Sequence, residues 1–121
     1  MTTLDQSNLP RIVRVPGAAK LGAGESLRFS YQRSQMPAEG FVLCWAGELR
    51  AFANSCPHWN VDLDYGSGDF FDVELERIVC RNHGALFMPD TGACEWGPCT
   101  GQSLERFAVT IEGDDAIVHL P

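Results

Sequence analysis

Short apolar stretches separated by turn signals recur along this chain, and one of them alternates with a period of two. In residues 26–32, Leu27, Phe29 and Tyr31 fall on one face, the pattern of a half-buried strand. Arg11-Ile12-Val13-Arg14-Val15 predicts a short strand closed by Pro16-Gly17. Residues 41–46 and 49–53 flank Gly47-Glu48 and predict a hairpin with a tight turn. Residues 76–79 predict another short strand, ending at Cys80. Residues 106–111 and 116–120 flank Gly113-Asp114-Asp115 and predict a final hairpin. No stretch sustains a helical repeat, so the expected fold class is all-β, built of short antiparallel strands.

Residues 1–10 are polar, end in Pro10 and read as a loose lead-in. No repeat or linker divides the chain, and 121 residues suit one domain, 1–121. Residues 54–99 have a different character. They are loop-rich and hold four of the five cysteines and two of the three histidines. They read as a metal-binding insert mounted on a β framework.

Composition adds limits. Hydrophobic residues make up 45% of the chain, enough for a modest core and too many for a disordered segment. The formal charge of −7 argues against nucleic acid, which calls for a basic patch. An acidic surface serves solubility or steers the protein toward a basic partner. The longest apolar run, residues 41–46, is far short of the ~18–20 residues of a membrane-spanning helix. Met1-Thr2-Thr3-Leu4-Asp5-Gln6 lacks the basic and apolar regions of a secretory signal, so the expected location is cytoplasmic. Five cysteines, an odd number, point in a reducing compartment to metal ligation before a disulfide framework.

Two segments carry the chemistry. Cys56-Pro57-His58 is a C-x-H box and Cys80-Arg81-Asn82-His83 a C-x-x-H box, with residues 59–79 between them. Each offers one thiolate and one imidazole. Two such loops facing each other supply two sulfurs and two nitrogens. A [2Fe–2S] cluster accepts that set with both cysteines on one iron and both histidines on the other. Two ferric ions, two sulfides and two thiolates sum to zero charge, so an electron enters more readily than into a four-thiolate dianion. A zinc ion also accepts two sulfurs and two nitrogens, although C-x-H and C-x-x-H fit the common zinc spacings poorly.

With Gly84-Ala85-Leu86-Phe87 after the second box, then Asp90-Thr91-Gly92 and Gly97-Pro98, the chain resembles the Rieske ferredoxins and the Rieske components of multi-subunit oxidoreductases. The match covers residues 54–104 well. The resemblance implies one [2Fe–2S] cluster, with Cys56 and Cys80 on the inner iron and His58 and His83 on the outer iron near the surface. It also implies a third loop, Gly97-Pro98, covering the cluster. The interval between the boxes is a few residues longer than usual, and the extra length falls in residues 62–74. An insertion in a surface loop is thermodynamically tolerable.

High-potential relatives place an extra, disulfide-bonded cysteine in each box and add Ser and Tyr hydroxyls beside the cluster. Here the matching positions are Val61, Asn82, Ala85 and Phe87, so the disulfide and both hydroxyls are missing. Hydrogen bonds to cluster sulfurs favour the reduced state, so the implied potential lies at the low end of the Rieske range, on the order of −150 mV.

Cys94 and Cys99 admit two readings, a local redox pair or two reduced thiols packed as small apolar groups, and the second is the expectation. Cys44 is expected in the core, His119 near a strand end, and Trp59 and Trp96 in ordinary packing. With His58 and His83 assigned, only His119 remains, so the chain cannot supply the two-histidine, one-carboxylate iron site of an oxygenase. The implied role is therefore electron transfer rather than catalysis. The protein would carry one electron from a reductase to a terminal oxygenase or similar enzyme, with protein redox partners and no small-molecule substrate. The alternatives are a permanent Rieske subunit of a larger oxidoreductase, of the nitrite reductase type, and a zinc-stabilised interaction module.

Overall fold

The computed structural model describes residues 11–57, 62–64, 69–82 and 84–121. Its strands are β1 (Ile12–Val15), β2 (Ser26–Arg33), β3 (Met36–Trp45), β4 (Glu48–Ala53), β5 (Phe71–Asp72), β6 (Arg77–Val79), β7 (Leu86–Phe87), β8 (Cys94–Trp96), β9 (Arg106–Glu112) and β10 (Asp115–His119). One short 3₁₀ turn, Ala18–Lys20, is the sole helical element among the described residues. The strands form two antiparallel sheets. The larger has the order β1-β10-β9-β4-β3-β2 and the smaller β5-β6-β7-β8. The Arg11 guanidinium bridges the two outer strands of the large sheet by donating to the Gln32 carbonyl. That sheet therefore curls toward a barrel. No helix among the described residues is long and apolar enough to cross a membrane.

The predicted strands are present, with adjusted ends. The β3–β4 turn centres on Ala46-Gly47, not Gly47-Glu48, because Trp45 pairs with Glu48. Both turn residues have positive φ, 54° and 78°, which matches the twist of the flanking strands. β3 begins at Met36, not at residue 41, and Ser34-Gln35 turn back into it with φ of 49° and 67°. β5, β7 and β8 were not predicted.

β3 over residues 40–43 and β4 over residues 51–53 are buried on both faces, which explains why these stretches are continuously non-polar rather than alternating. Val42, Ala51 and Ala53 join Phe29, Tyr31, Phe107 and Val118 in the interior of the large sheet. Phe41, Leu43 and Phe52 point the other way and pack with residues of the small sheet. There the Phe41 and Phe70 rings stack with centroids 4.1 Å apart, and Trp45 meets Phe71 at 4.8 Å. Gly40 pairs with Phe29 across β2 and β3, and a Cβ on Gly40 would collide with the Phe29 ring. The small sheet thus sits on the outer face of β3 and β4, and it carries the second cysteine box.

Candidate metal centre

The first cysteine follows directly from β4. That strand ends at Ala53, and the chain passes through buried Asn54 to Cys56, whose exposure is 0%. The second cysteine, Cys80, follows β6 and is equally buried. Its N–H donates to the Ala85 carbonyl at 2.9 Å, and its own carbonyl accepts from the Gly84 N–H at 2.8 Å. These two bonds tie Cys80 to Gly84 and Ala85. Gly84, at φ 75°, supplies the left-handed residue the turn requires.

Cys56 and Cys80 lie in one apolar cluster with Leu63, Ala85, Phe87 and Leu104. Two sulfurs withdrawn from water suit thiolate ligands, because a bound metal group neutralises charge that the apolar surroundings would not tolerate. The structure therefore places both cysteines of the expected ligand set in one buried cluster. His58 and His83 lie outside the described residues, as do Trp59 and Val61.

A third loop lies against the second. Gly97, at φ 119°, sits so close to Ala85 that a Cβ would come within 2.9 Å of the Ala85 Cα. Thr100 donates to the Gly97 carbonyl from both its N–H, at 3.2 Å, and its hydroxyl, at 2.7 Å. Ala85 and Phe87, both fully buried, bring no hydroxyl to this site.

One feature of the site was not anticipated from the sequence. Residues 62–64, within the supposed loop extension, are clamped between the two boxes. The Asn54 side chain accepts from the Leu63 N–H at 2.8 Å and donates to the Asp64 carboxylate at 3.2 Å. From the other side, the Arg81 N–H donates to the Leu63 carbonyl at 2.6 Å and the Asn82 amide to the Asp62 carbonyl at 2.5 Å. Fully buried Asp64 is held by Arg28 at 3.4 Å, and Arg28 also pairs with Glu39. Burial, with the charges of Glu39 and Asp64, pushes the Asp62 carboxyl above the ordinary carboxylate range. These contacts join residues far apart in sequence, and no local pattern signals them.

The other cysteines divide. Cys44 is half-buried in β3. Cys94 and Cys99 are buried in the same cluster as Cys56 and Cys80, with their sulfurs 2.7 Å apart. Among the described residues no group of three or more metal-binding side chains is assembled, so these two do not extend the Cys56 and Cys80 pair into a four-cysteine site. Burial and the contact with Cys94 push the Cys99 thiol up to about 12. Trp96 departs from its expected packing and is 62% exposed. It lies on β8, the outer strand of the small sheet, where the inward position is taken by Cys94. His119 is exposed at the end of β10, 3.0 Å from the Thr110 hydroxyl.

Comparison with known proteins agrees with this geometry. The sequence profile of the Rieske [2Fe-2S] domain matches residues 13–112. The chain is 29% identical over 109 residues to the ferredoxin component of biphenyl 2,3-dioxygenase from Rhodococcus jostii, covering 90% of this chain and 92% of that one. Among solved structures it is similar to the ferredoxin of carbazole 1,9a-dioxygenase from Nocardioides aromaticivorans IC177. The TM-score is 0.66 at 26% identity, covering 88% of this chain and 95% of the other. It is similar again, at a TM-score of 0.67 and 25% identity, to a chain in a complex of reduced oxygenase and oxidised ferredoxin in carbazole 1,9a-dioxygenase, covering 89% and 92%.

Proposed function

Because the chain belongs to the Rieske [2Fe–2S] domain family, we propose that Cys56, His58, Cys80 and His83 hold its single cluster and that an oxygenase component is the acceptor of its electron. The cluster, when bound, takes up and releases one electron. Everything else is the work of the chain. Cys56 and Cys80 bring two thiolates into an apolar pocket from facing loops. The clamp through residues 62–64 sets the distance between those loops. Gly97 brings the third loop down against Ala85. The family membership also decides between the two metal readings, in favour of iron and sulfide over zinc.

The observation that carries the ligand assignment is the shared burial of Cys56 and Cys80 in one cluster, each in the box that also contains a histidine. Partner choice is supported by the relatives, which are ferredoxin components of dioxygenases, one of them seen with its oxygenase. Residues 1–121 act as one domain, since β5–β8 pack on β3 and β4 through the Phe41 and Phe70 stack. A cytoplasmic setting accords with five cysteines that stand unbridged.

The test is direct. The purified protein should contain equal amounts of iron and acid-labile sulfide and no zinc. Its visible absorption should bleach on one-electron reduction. His58→Cys and His83→Cys should each retain iron while lowering the potential and altering the electron paramagnetic resonance spectrum. Unchanged spectra in both variants would remove the histidines from the ligand set. Failure of the reduced protein to transfer its electron to any dioxygenase component would remove the partner reading alone.

A further inference from the structure

We infer that Cys94 and Cys99 are an oxidation site that closes to a disulfide when the folded protein meets a peroxide. Their Sγ atoms are 2.7 Å apart, about 0.7 Å beyond a disulfide bond of roughly 2.03–2.05 Å. The backbone around them is already tied in the required form. The Cys94 N–H donates to the Gln102 carbonyl at 2.8 Å, and the Gln102 N–H donates to the Cys99 carbonyl at 2.9 Å. Cys94 is also paired with Phe87 in the small sheet. The two cysteines therefore stand at the neck of a closed excursion that carries Gly97 and Pro98 at its far end. Bond formation needs a small approach of the two sulfurs and leaves these hydrogen bonds in place.

Access selects the reagent. Cys94 is 8% exposed and Cys99 1%, so a bulky disulfide or a second protein cannot reach them, whereas a small hydroperoxide can. The sulfur of Cys94, the more exposed of the two residues, attacks the peroxide oxygen and loses its proton. With hydrogen peroxide this gives a sulfenic acid and one water. The Cys99 sulfur then attacks the Cys94 sulfur, loses its proton and displaces the hydroxyl as a second water. Two thiols and one peroxide become one disulfide and two waters, and a thiol reductant reverses the change. The resulting bond ties the neck of the loop whose tip lies against Ala85.

The chain is well suited to a test. Tryptic cleavage after Arg81 and Arg106 releases residues 82–106, which contain Cys94 and Cys99 and no other cysteine. The native holoprotein is treated with graded hydrogen peroxide, then denatured, alkylated, digested and weighed. The expected peptide has lost two hydrogens, takes up no alkyl group, and regains both alkylation sites after dithiothreitol. In Cys99→Ser the same peptide should instead retain one oxygen on Cys94. The inference is overturned if the wild-type peptide still takes up two alkyl groups when the circular dichroism of the fold begins to change. It is equally overturned if fragment masses place added oxygen on Cys94 or Cys99, rather than on Met88, in a peptide that has not lost two hydrogens. Neither readout depends on which residues bind the cluster.

Discussion

At the scale of single residues, the site is defined as much by missing groups as by ligands. Ala85 and Phe87 are fully buried beside Cys80, and neither has a hydroxyl to offer a sulfur. Phe87→Tyr should place one there and raise the reduction potential by on the order of 50 mV, the one-electron equivalent of about 1 kcal/mol. Redox titration of the wild type, expected near −150 mV, and of the variant measures this. An unchanged or lowered potential would contradict it. Asn54 acts differently, through backbone position. Removing its side chain leaves the buried Leu63 N–H without an acceptor and takes one partner from Asp64. Asn54→Ala should cost about 1–3 kcal/mol of stability, read as a lower denaturant midpoint, together with faster loss of the cofactor. The shared burial of Cys56 and Cys80 accords with two boxes whose spacing is local and so visible in the sequence. The clamp was not visible there, because it joins Asn54, Leu63, Asp64 and Arg81 across intervals that no short pattern spans. The same limit applies to the contact of Cys94 with Cys99. Their spacing allows it, but only the hydrogen bonds through Gln102 bring the sulfurs together.

Secondary-structure elements show why some strands could be read and others not. β2, β4, β9 and β10 are long enough for an apolar pattern to repeat, and their places follow from it. β5 and β7 have two residues each, and β6 and β8 have three. Strands of that length show no period, and only β6 was foreseen, from its apolar run into Cys80. The start of β3 was hidden for another reason. Ser34-Gln35 adopts left-handed geometry without the Asn-Gly or Gly signals that usually mark such turns. Gly40, in the part of β3 that the pattern did not predict, proves structurally specific. The Phe29 ring occupies the space its side chain would fill. Gly40→Ala should therefore destabilise by about 1–3 kcal/mol, the usual cost of overpacking. In a Phe29→Ala background, where the ring is gone, the same substitution should cost much less. Chemical denaturation of the four proteins in this cycle measures the coupling, and simple additivity would exclude the steric explanation.

For the whole molecule, the division into two cores has a thermodynamic consequence. The interior of the large sheet, with Phe29, Tyr31, Val42, Phe107 and Val118, contains neither Cys56 nor Cys80. The second core contains both, and it is also the packing surface of β5–β8. Sheets of such short strands are marginal alone, so the small sheet depends on its contacts with β3 and β4 and on metal ligation, which supplies folding free energy where ligands converge. Half of the chain's sixteen acidic residues lie in residues 54–99, and arginines across both sheets pair with several of the acidic side chains. Arg14 pairs with Glu112 and Asp115, Arg33 with Glu105, and Arg77 with Glu95. Removing iron with a chelator under reducing conditions should leave the amides of β2, β3, β4, β9 and β10 protected against hydrogen exchange. Protection in β6–β8 and at residues 80–85 should fall by at least roughly tenfold, since each ~1.4 kcal/mol of lost local stability is a factor of ten in opening. A uniform loss across both sheets would mean that the two cores unfold as one unit. Unchanged protection at Cys80 and Ala85 would mean that the cofactor contributes nothing to holding the second box. The dependence should be local because the two faces of β3 and β4 are packed by separate sets of side chains, and only one of those sets includes Cys56 and Cys80, the proposed ligands.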